Sequence, residues 1–259
     1  MRDANRPESR HMLARRAVLW VFVLFVLSLL FGAKTTDSQS CGPCSPVGSP
    51  PYCGTNNSPT WNTSTCSWMC VPTQYSPMIV DVSGAGFQLT SAANGVRFDI
   101  QGSGSTVQMA WTALGADDDF LALDRNGDGV VDNGTELFGN FTPQPTSPHP
   151  NGFLALAVYD QPANGGNGDG VIDASDKVFS SLRLWIDSNH DGVCQPEELF
   201  TLPSKGIHSI SLAYHLSMKR DQFGNLFRYR SRVNPDGRSS DSDAGKTAYD
   251  VFFSTLANP

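Results

Sequence analysis

Twelve Asp and three Glu crowd residues 117–198, where Arg125, Lys177 and Arg183 are the only Lys or Arg. Charge of one sign at this density repels itself unless opposite charge is held among it. The acids are also ordered. From Asp187 to Glu198 the chain reads Asp-Ser-Asn-His-Asp-Gly-Val-Cys-Gln-Pro-Glu-Glu. Asp187, Asn189, Asp191, Gln195 and Glu198 thus fall at positions 1, 3, 5, 9 and 12, with Gly192 at position 6. Short oxygen donors at alternate positions converge on one centre, and glycine permits the sharp turn after the fifth. Val193 at position 7 offers its carbonyl, and the longer Glu198 closes the shell with two oxygens. This is the spacing of a twelve-residue EF-hand calcium loop. The expected ligands are Asp187, Asn189, Asp191, Val193, Gln195 and Glu198.

The pattern recurs. Asp124, Asn126, Asp128, Val130 and Asp132 repeat positions 1, 3, 5, 7 and 9, and Glu136 arrives one place late. Asn133-Gly134 tolerates positive φ and is expected to absorb the extra residue, leaving Glu136 as the closing ligand. Between these loops, Asn167, Asp169, Val171, Asp173 and Asp176 match positions 3, 5, 7, 9 and 12. Position 1 falls there on Gly165, which has no side chain; Asp160 serves instead if Gln161–Gly166 loops out. Asp176 is a methylene shorter than Glu, so weaker binding is expected at this loop. Beyond residue 33 the chain has only three Glu, and two of them, Glu136 and Glu198, sit at closing positions. Two upstream segments, Asp81–Gly86 and Asp99–Gly104, keep the leading Asp and later Gly without middle acids or a closing carboxylate. They are expected to be tight turns without metal, and Asp117-Asp118-Asp119 a solvated turn.

Residues 1–16 are basic, and Ala17–Phe31 is an uncharged apolar run too short for a spanning helix of about 20 residues. A signal peptide over 1–33 is expected, with an uncleaved signal anchor as the alternative and sole membrane attachment. The remaining chain carries 13 basic and 23 acidic groups, a balance that argues against nucleic-acid partners. A secreted or periplasmic location follows. Residues 34–76 are rich in Ser, Pro and Cys and read as a linker or small disulfide-stapled segment. Five of the six Cys lie there, so one is free, pairs with Cys194 or pairs with another chain. Cys41-Gly-Pro-Cys44 has the spacing of a redox pair, but the Pro-rich run to Pro51 cannot supply the helix such a pair needs.

Over 77–259 an α+β domain is expected: EF-hand-like calcium loops with short helices, flanked by antiparallel strands. Helices are expected at Gly152–Asp160 and Ala174–Leu182. Strands are expected at Phe120–Leu123 and Leu182–Ile186, leading into the outer loops, and at Val96–Ile100, Val107–Trp111, Ile207–Leu212, Leu226–Val233 and Ala248–Phe253. No Ser/His/Asp or Cys/His catalytic set can be assembled from spacing, so a binding module rather than an enzyme is expected.

The ordered blocks FLALDRNGDGVVDNGTELFG, GFLALAVYD, GDGVIDASDKVF, LRLWIDSNHDGV and EELFTLPSKGIHSISL resemble exported bacterial EF-hand-like proteins. They are similar also to the calcium-binding self-processing module of iron-regulated RTX proteins, over about residues 77–215. The resemblance implies calcium at Asp124, Asn126, Asp128, Asp132 and Glu136, and at Asp187, Asn189, Asp191 and Glu198. It implies too a scissile Asp-Pro bond just ahead of the first repeat. The matching place is Ser76-Pro77, and the chain has no Asp-Pro pair. Serine cannot form the cyclic anhydride an Asp side chain gives, so self-cleavage is expected to be lost. The expected function is calcium binding that stabilises the fold. The alternatives are a self-processing type module without its scissile Asp, or an adhesion or matrix component with a protein or cell-surface partner.

Overall fold

The computed structural model describes residues 45–46, 48–51, 57–62, 65–72, 74–235 and 246–256. The expected leader and Cys41, Cys44 and Cys53 lie outside them. Among the described residues no helix is long and apolar enough to cross a membrane. The chain divides into two compact units, Met1–Val47 with Asn62–Ser67, and Gly48–Trp61 with Trp68–Pro259. From Trp68 onward, all that follows belongs to the second.

Strands β1 (Asn57–Asn62) and β2 (Ser67–Pro72) pair with each other. The main sheet has seven antiparallel strands: β3 (Met78–Asp81), β6 (Asp118–Ala122), β8 (Arg183–Trp185), β9 (Leu199–Thr201), β11 (His215–Arg220), β12 (Leu226–Arg232) and β13 (Thr247–Phe252). Their spatial order is β11-β12-β13-β3-β6-β8-β9. Two small antiparallel pairs complete the β structure: β4 (Val96–Phe98) with β5 (Val107–Met109), and β7 (Val171–Asp173) with β10 (Ser209–Ser211).

Central β3 and β6 are buried throughout, because apolar side chains alternate onto both sheet faces and each face meets its own core. One face carries Met78, Val80, Leu121 and Leu184, packed with Phe153, Phe179 and Ile210. The other carries Ile79, Phe120 and Trp185, packed with Trp111, Phe98 and Phe253. Trp111 sits 4.4 Å from Phe120 and 5.6 Å from Trp185, ring centre to ring centre, the first at the short edge of the range of favourable aromatic pairs and the second within it.

The fold is therefore mostly antiparallel β, with one short α-helix among the described residues, α1 (Gly152–Ala157). This corrects the α+β expectation and its EF-hand helices. Helix α1 is capped by Asn151, whose Oδ1 accepts the Leu154 N–H at 3.0 Å. Ala174–Leu182, expected as a second helix, runs as turns. Nine residues are too few to hold a helix by propensity. Asp173 Oδ1 also caps Ser175 N–H at 2.7 Å in a local turn that competes with helix. The flanks of the outer loops are instead short runs of Phe, Leu, Ala and Trp, and sheet pairing with β3, β6 and β9 buries them.

One buried carboxylate makes stability depend on pH. Asp250 lies opposite Met78 with no exposed surface. Gly152 N–H reaches its Oδ2 at 3.2 Å, while Oδ1 has no partner. Burial pushes its pKa from 3.8 up to about 7, against smaller opposing pulls from the Ser76 side chain, the Gly152 amide and Arg228. The folded state thus holds a proton that the unfolded chain releases near pH 4. Stability is full below that point and falls as pH rises through about 7, by roughly 4 kcal/mol for this group. In metal-free buffer, melting should fall between pH 4 and 7.5, and Asp250→Asn should make the decline shallower. Equal slopes in both proteins would show that Asp250 does not carry the effect.

Candidate metal centre

The first loop leaves the sheet at the end of β6. Asp124 Oδ1 accepts the Gly127 N–H at 2.6 Å, and its Oδ2 accepts the Gly129 N–H at 2.9 Å. Asn126 Oδ1 accepts Asp128 N–H, and Asp128 Oδ1 accepts Val130 N–H. Glu136 folds back beneath them, accepting Arg125 N–H at 3.2 Å and Asp132 N–H at 3.0 Å. One carboxylate oxygen from each of Asp124, Asp128 and Glu136 then lies within 4.8 Å of the others. Oxygens around a single calcium, at 2.3–2.6 Å from it, are at most about 5 Å apart, so this donor set fits the ion. Burial, the largest influence, and the nearby Asp132 raise the Glu136 pKa, against the two amides. A bound cation would reverse that shift.

The extra residue before Glu136 is accommodated differently from the sequence expectation. Asn133 Oδ1 accepts the Thr135 N–H and hydroxyl. Gly134 is not in the left-handed region. It is needed because the Asp99–Ile100 backbone passes so close that a Cβ would stand 2.0 Å from the Ile100 carbonyl oxygen.

The third loop leaves β8 with the same bonding. Asp187 accepts the N–H groups of Asp191 and Gly192, at 3.1 and 2.8 Å. Asn189 Oδ1 accepts Asp191 N–H, and Asp191 Oδ1 accepts Val193 N–H. Glu198 accepts Ser188 N–H at 2.9 Å and Gln195 N–H at 3.3 Å. Gln195 Nε2 donates to Asp191 Oδ2 at 3.0 Å. Both end carboxylates are also tied to the core, which spacing alone did not reveal. Trp111 Nε1–H donates to Asp187 Oδ2 at 2.7 Å, and Trp185 Nε1–H donates to Glu198 Oε2 at 3.1 Å. Burial raises the Asp187 pKa against the Gly192, Asp191 and Trp111 donors. At position 4, where the other two loops carry Gly127 and Gly168, His190 takes φ +61. Its ring is held between the Thr112 and Asn94 carbonyl oxygens at 2.7 and 2.8 Å, which offsets a conformation costly for a residue with a Cβ.

In the middle loop Asp160 supplies position 1. Its Oδ1 accepts Gly168 N–H and its Oδ2 accepts Gly170 N–H, each at 3.0 Å. Residues 161–166 bulge out around a 3-10 turn at Pro162–Asn164, bringing Gly166 so near that a Cβ would be 2.2 Å from the Asp160 carbonyl. Asp169 accepts Val171 N–H, and Asn167 Oδ1 accepts Asp169 N–H. Asp176 closes the loop on Asn167 N–H at 3.3 Å and Asp173 N–H at 2.9 Å. Burial raises the Asp176 pKa against these amides.

In all three loops the closing carboxylate is buried and position 1 is buried or half-buried, while Asn126, Asp128, Asn167, Asp169, Asn189 and Asp191 are exposed. The fold thus fixes the two ends and leaves the middle donors at the surface, open to an ion from solvent. Cys194, eighth in the third loop, is buried and free, and burial pushes its thiol up to about 11. It is not the distant partner of the N-terminal cysteines.

The SPM domain family matches residues 78–254, beginning one residue after Pro77. Iron-regulated protein FrpA of Neisseria meningitidis serogroup C is 38% identical over 170 residues. That match covers 64% of this chain and 15% of FrpA, so the chain spans a small part of that relative. Three loops with one hydrogen-bonding pattern, two of them leaving strands of the main antiparallel sheet, together with this match, lead to one conclusion: the chain belongs to the SPM domain family and is related to FrpA-like self-processing modules.

Proposed function

We propose that this chain is an exported, calcium-dependent module of the self-processing type whose ions close its loops and stabilise its fold. Residues 77–259 form the module, residues 1–33 direct export, and serine at 76 has removed the bond such modules cut. The observation that carries this reading is the bonding shared by the loops. In each, a position 1 carboxylate is held by loop amides, and a closing carboxylate accepts the N–H groups of two other loop residues. The ions would be held by Asp124, Asn126, Asp128, Asp132 and Glu136; by Asp160, Asn167, Asp169, Asp173 and Asp176; and by Asp187, Asn189, Asp191, Gln195 and Glu198, with the carbonyls of Val130, Val171 and Val193. Calcium supplies charge neutralisation and cross-linking of the loop ends. Membership of the SPM family supports the self-processing ancestry.

Calorimetric titration of the metal-stripped chain with calcium tests the reading. Binding is expected in the range of extracellular modules, a Kd of about 10⁻⁴–10⁻³ M. Glu136→Gln, Asp160→Asn and Glu198→Gln should each remove one site. No heat of binding in the wild type, or an unchanged isotherm in all three variants, would end the proposal.

A further inference from the structure

The structure assigns a further divalent-cation site, outside the three contiguous loops, to Asp81, Asp117 and Asp118. It extends the proposed function but uses none of the loop ligands.

Asp81 ends β3 as Asp124 and Asp187 follow β6 and β8. It also holds its turn as a loop position 1 does: Oδ1 accepts Gly84 N–H at 2.6 Å, and Oδ2 accepts Gly86 N–H at 2.8 Å. Its own segment then offers nothing acidic, with Ser83 and Ala85 where the other loops place Asn and Asp. The missing carboxylates come from the next strand. Strand β6 pairs with β3 so that Asp118 stands opposite Asp81. One carboxylate oxygen from each of Asp81, Asp117 and Asp118 lies within 4.8 Å of the others, the spread one calcium shell allows.

The unmet bonding of Asp118 points to a ligand. The residue is 1% exposed. Its Oδ2 accepts Gln88 N–H at 2.7 Å, but its Oδ1 has no partner. A buried carboxylate oxygen without a partner is costly, and two further carboxylates beside it add repulsion. A cation among the three relieves both. The alternative occupant is a shared proton, since burial and its acidic neighbours push the Asp118 pKa up to about 7. Two neighbouring features mark the limits of the site. Asp99 makes the same kind of turn, with Gly104 N–H at 2.6 Å, yet it belongs to no acidic cluster among the described residues. Asp119 is buried too, but strand alternation turns it to the opposite face.

Native mass spectrometry of the purified full chain, titrated with calcium, decides between ion and proton. The wild type should bind one ion more than Asp118→Asn. Asp117→Asn should show the same loss; its half-buried side chain can change without opening the core. Glu198→Gln should lose a different ion, so that Asp118→Asn combined with Glu198→Gln loses two. If Asp118→Asn and Asp117→Asn both keep the wild-type count, the site holds a proton and the inference is overturned. If Glu198→Gln keeps that count while Asp118→Asn loses one, the loop reading fails and this site stands.

Discussion

Chelating calcium should lower the melting temperature of this protein by about 15–30 °C, or leave it without a cooperative transition at all. Metal at a hundred times its dissociation constant stabilises the folded state by about 2.7 kcal/mol per independent site. Three loops together reach roughly 8 kcal/mol, comparable with the whole stability of a typical domain at about 5–15 kcal/mol. A domain of this size moves by about 2–4 °C per kcal/mol, which gives the expected shift. The charge argues in the same direction. Without metal, twelve Asp and three Glu within residues 117–198 face only three Lys or Arg. The closing carboxylates Glu136 and Asp176 and the leading Asp187 are buried groups whose pKa values are already raised. High salt should recover part of the loss by screening the exposed acids, but not the part borne by these buried ones. Melting followed by circular dichroism in tens of millimolar calcium, about a hundred times the expected Kd, and then in excess chelator measures the shift. Superimposable curves would mean that the loops do not hold the fold through metal. Combining Glu136→Gln with Glu198→Gln should place the calcium curve close to the chelator curve, because both changes remove end ligands that pin a loop to the sheet.

The loop turns were legible in the sequence because the residues that bond across them are local. Asp187 to Glu198 is one uninterrupted run, and its donors bond within the loop as the spacing implies. The architecture was not, because the same short apolar segments fit a strand or a helix end until a partner decides. Phe120–Leu123, expected as a strand, falls in β6 as far as Ala122, but its pairing with Ile79 and Trp185 has no signal in the adjacent residues. Asp117-Asp118-Asp119 misled for a related reason. A run of three acids reads as solvated, yet the β3–β6 register buries Asp118 and Asp119. Asp160 was reachable only by supposing a bulge over Gln161–Gly166, and the close approach of Gly166 to the Asp160 carbonyl shows how tight that bulge is. The tryptophan contacts to Asp187 and Glu198 had no sequence signal, since a buried aromatic is ordinarily explained by packing alone.

On the proposed function, changing Ser76 to Asp should give a chain that cuts itself in calcium. Ser76 is 2% exposed and clamped on both sides. Its N–H donates to Asn140 Oδ1 at 2.9 Å, and its Oγ accepts the Asn140 N–H at 3.1 Å. Its carbonyl passes Gly139 so closely that a Cβ there would stand 1.6 Å from the oxygen. On the other side of the bond, the Pro77 carbonyl accepts Val251 N–H at 3.0 Å. A carboxylate at 76 would be held beside its own carbonyl carbon, and fixed geometry of this kind accelerates an intramolecular attack strongly. The carboxylate oxygen bonds to that carbon, the C–N bond to Pro77 breaks, and the proline nitrogen leaves with a proton. Water then opens the five-membered anhydride. Asp250, which interacts with the Ser76 side chain and holds its proton up to about pH 7, is the proton source this experiment tests. The expected result for Ser76→Asp is a calcium-dependent fragment whose N-terminus is Pro77, formed more slowly above pH 7 and more slowly again with Asp250→Asn. Wild type and Ser76→Ala should stay whole. A Ser76→Asp chain that melts as a folded, calcium-loaded protein yet remains intact after days would show that the cleavage machinery, and not only the scissile residue, is gone.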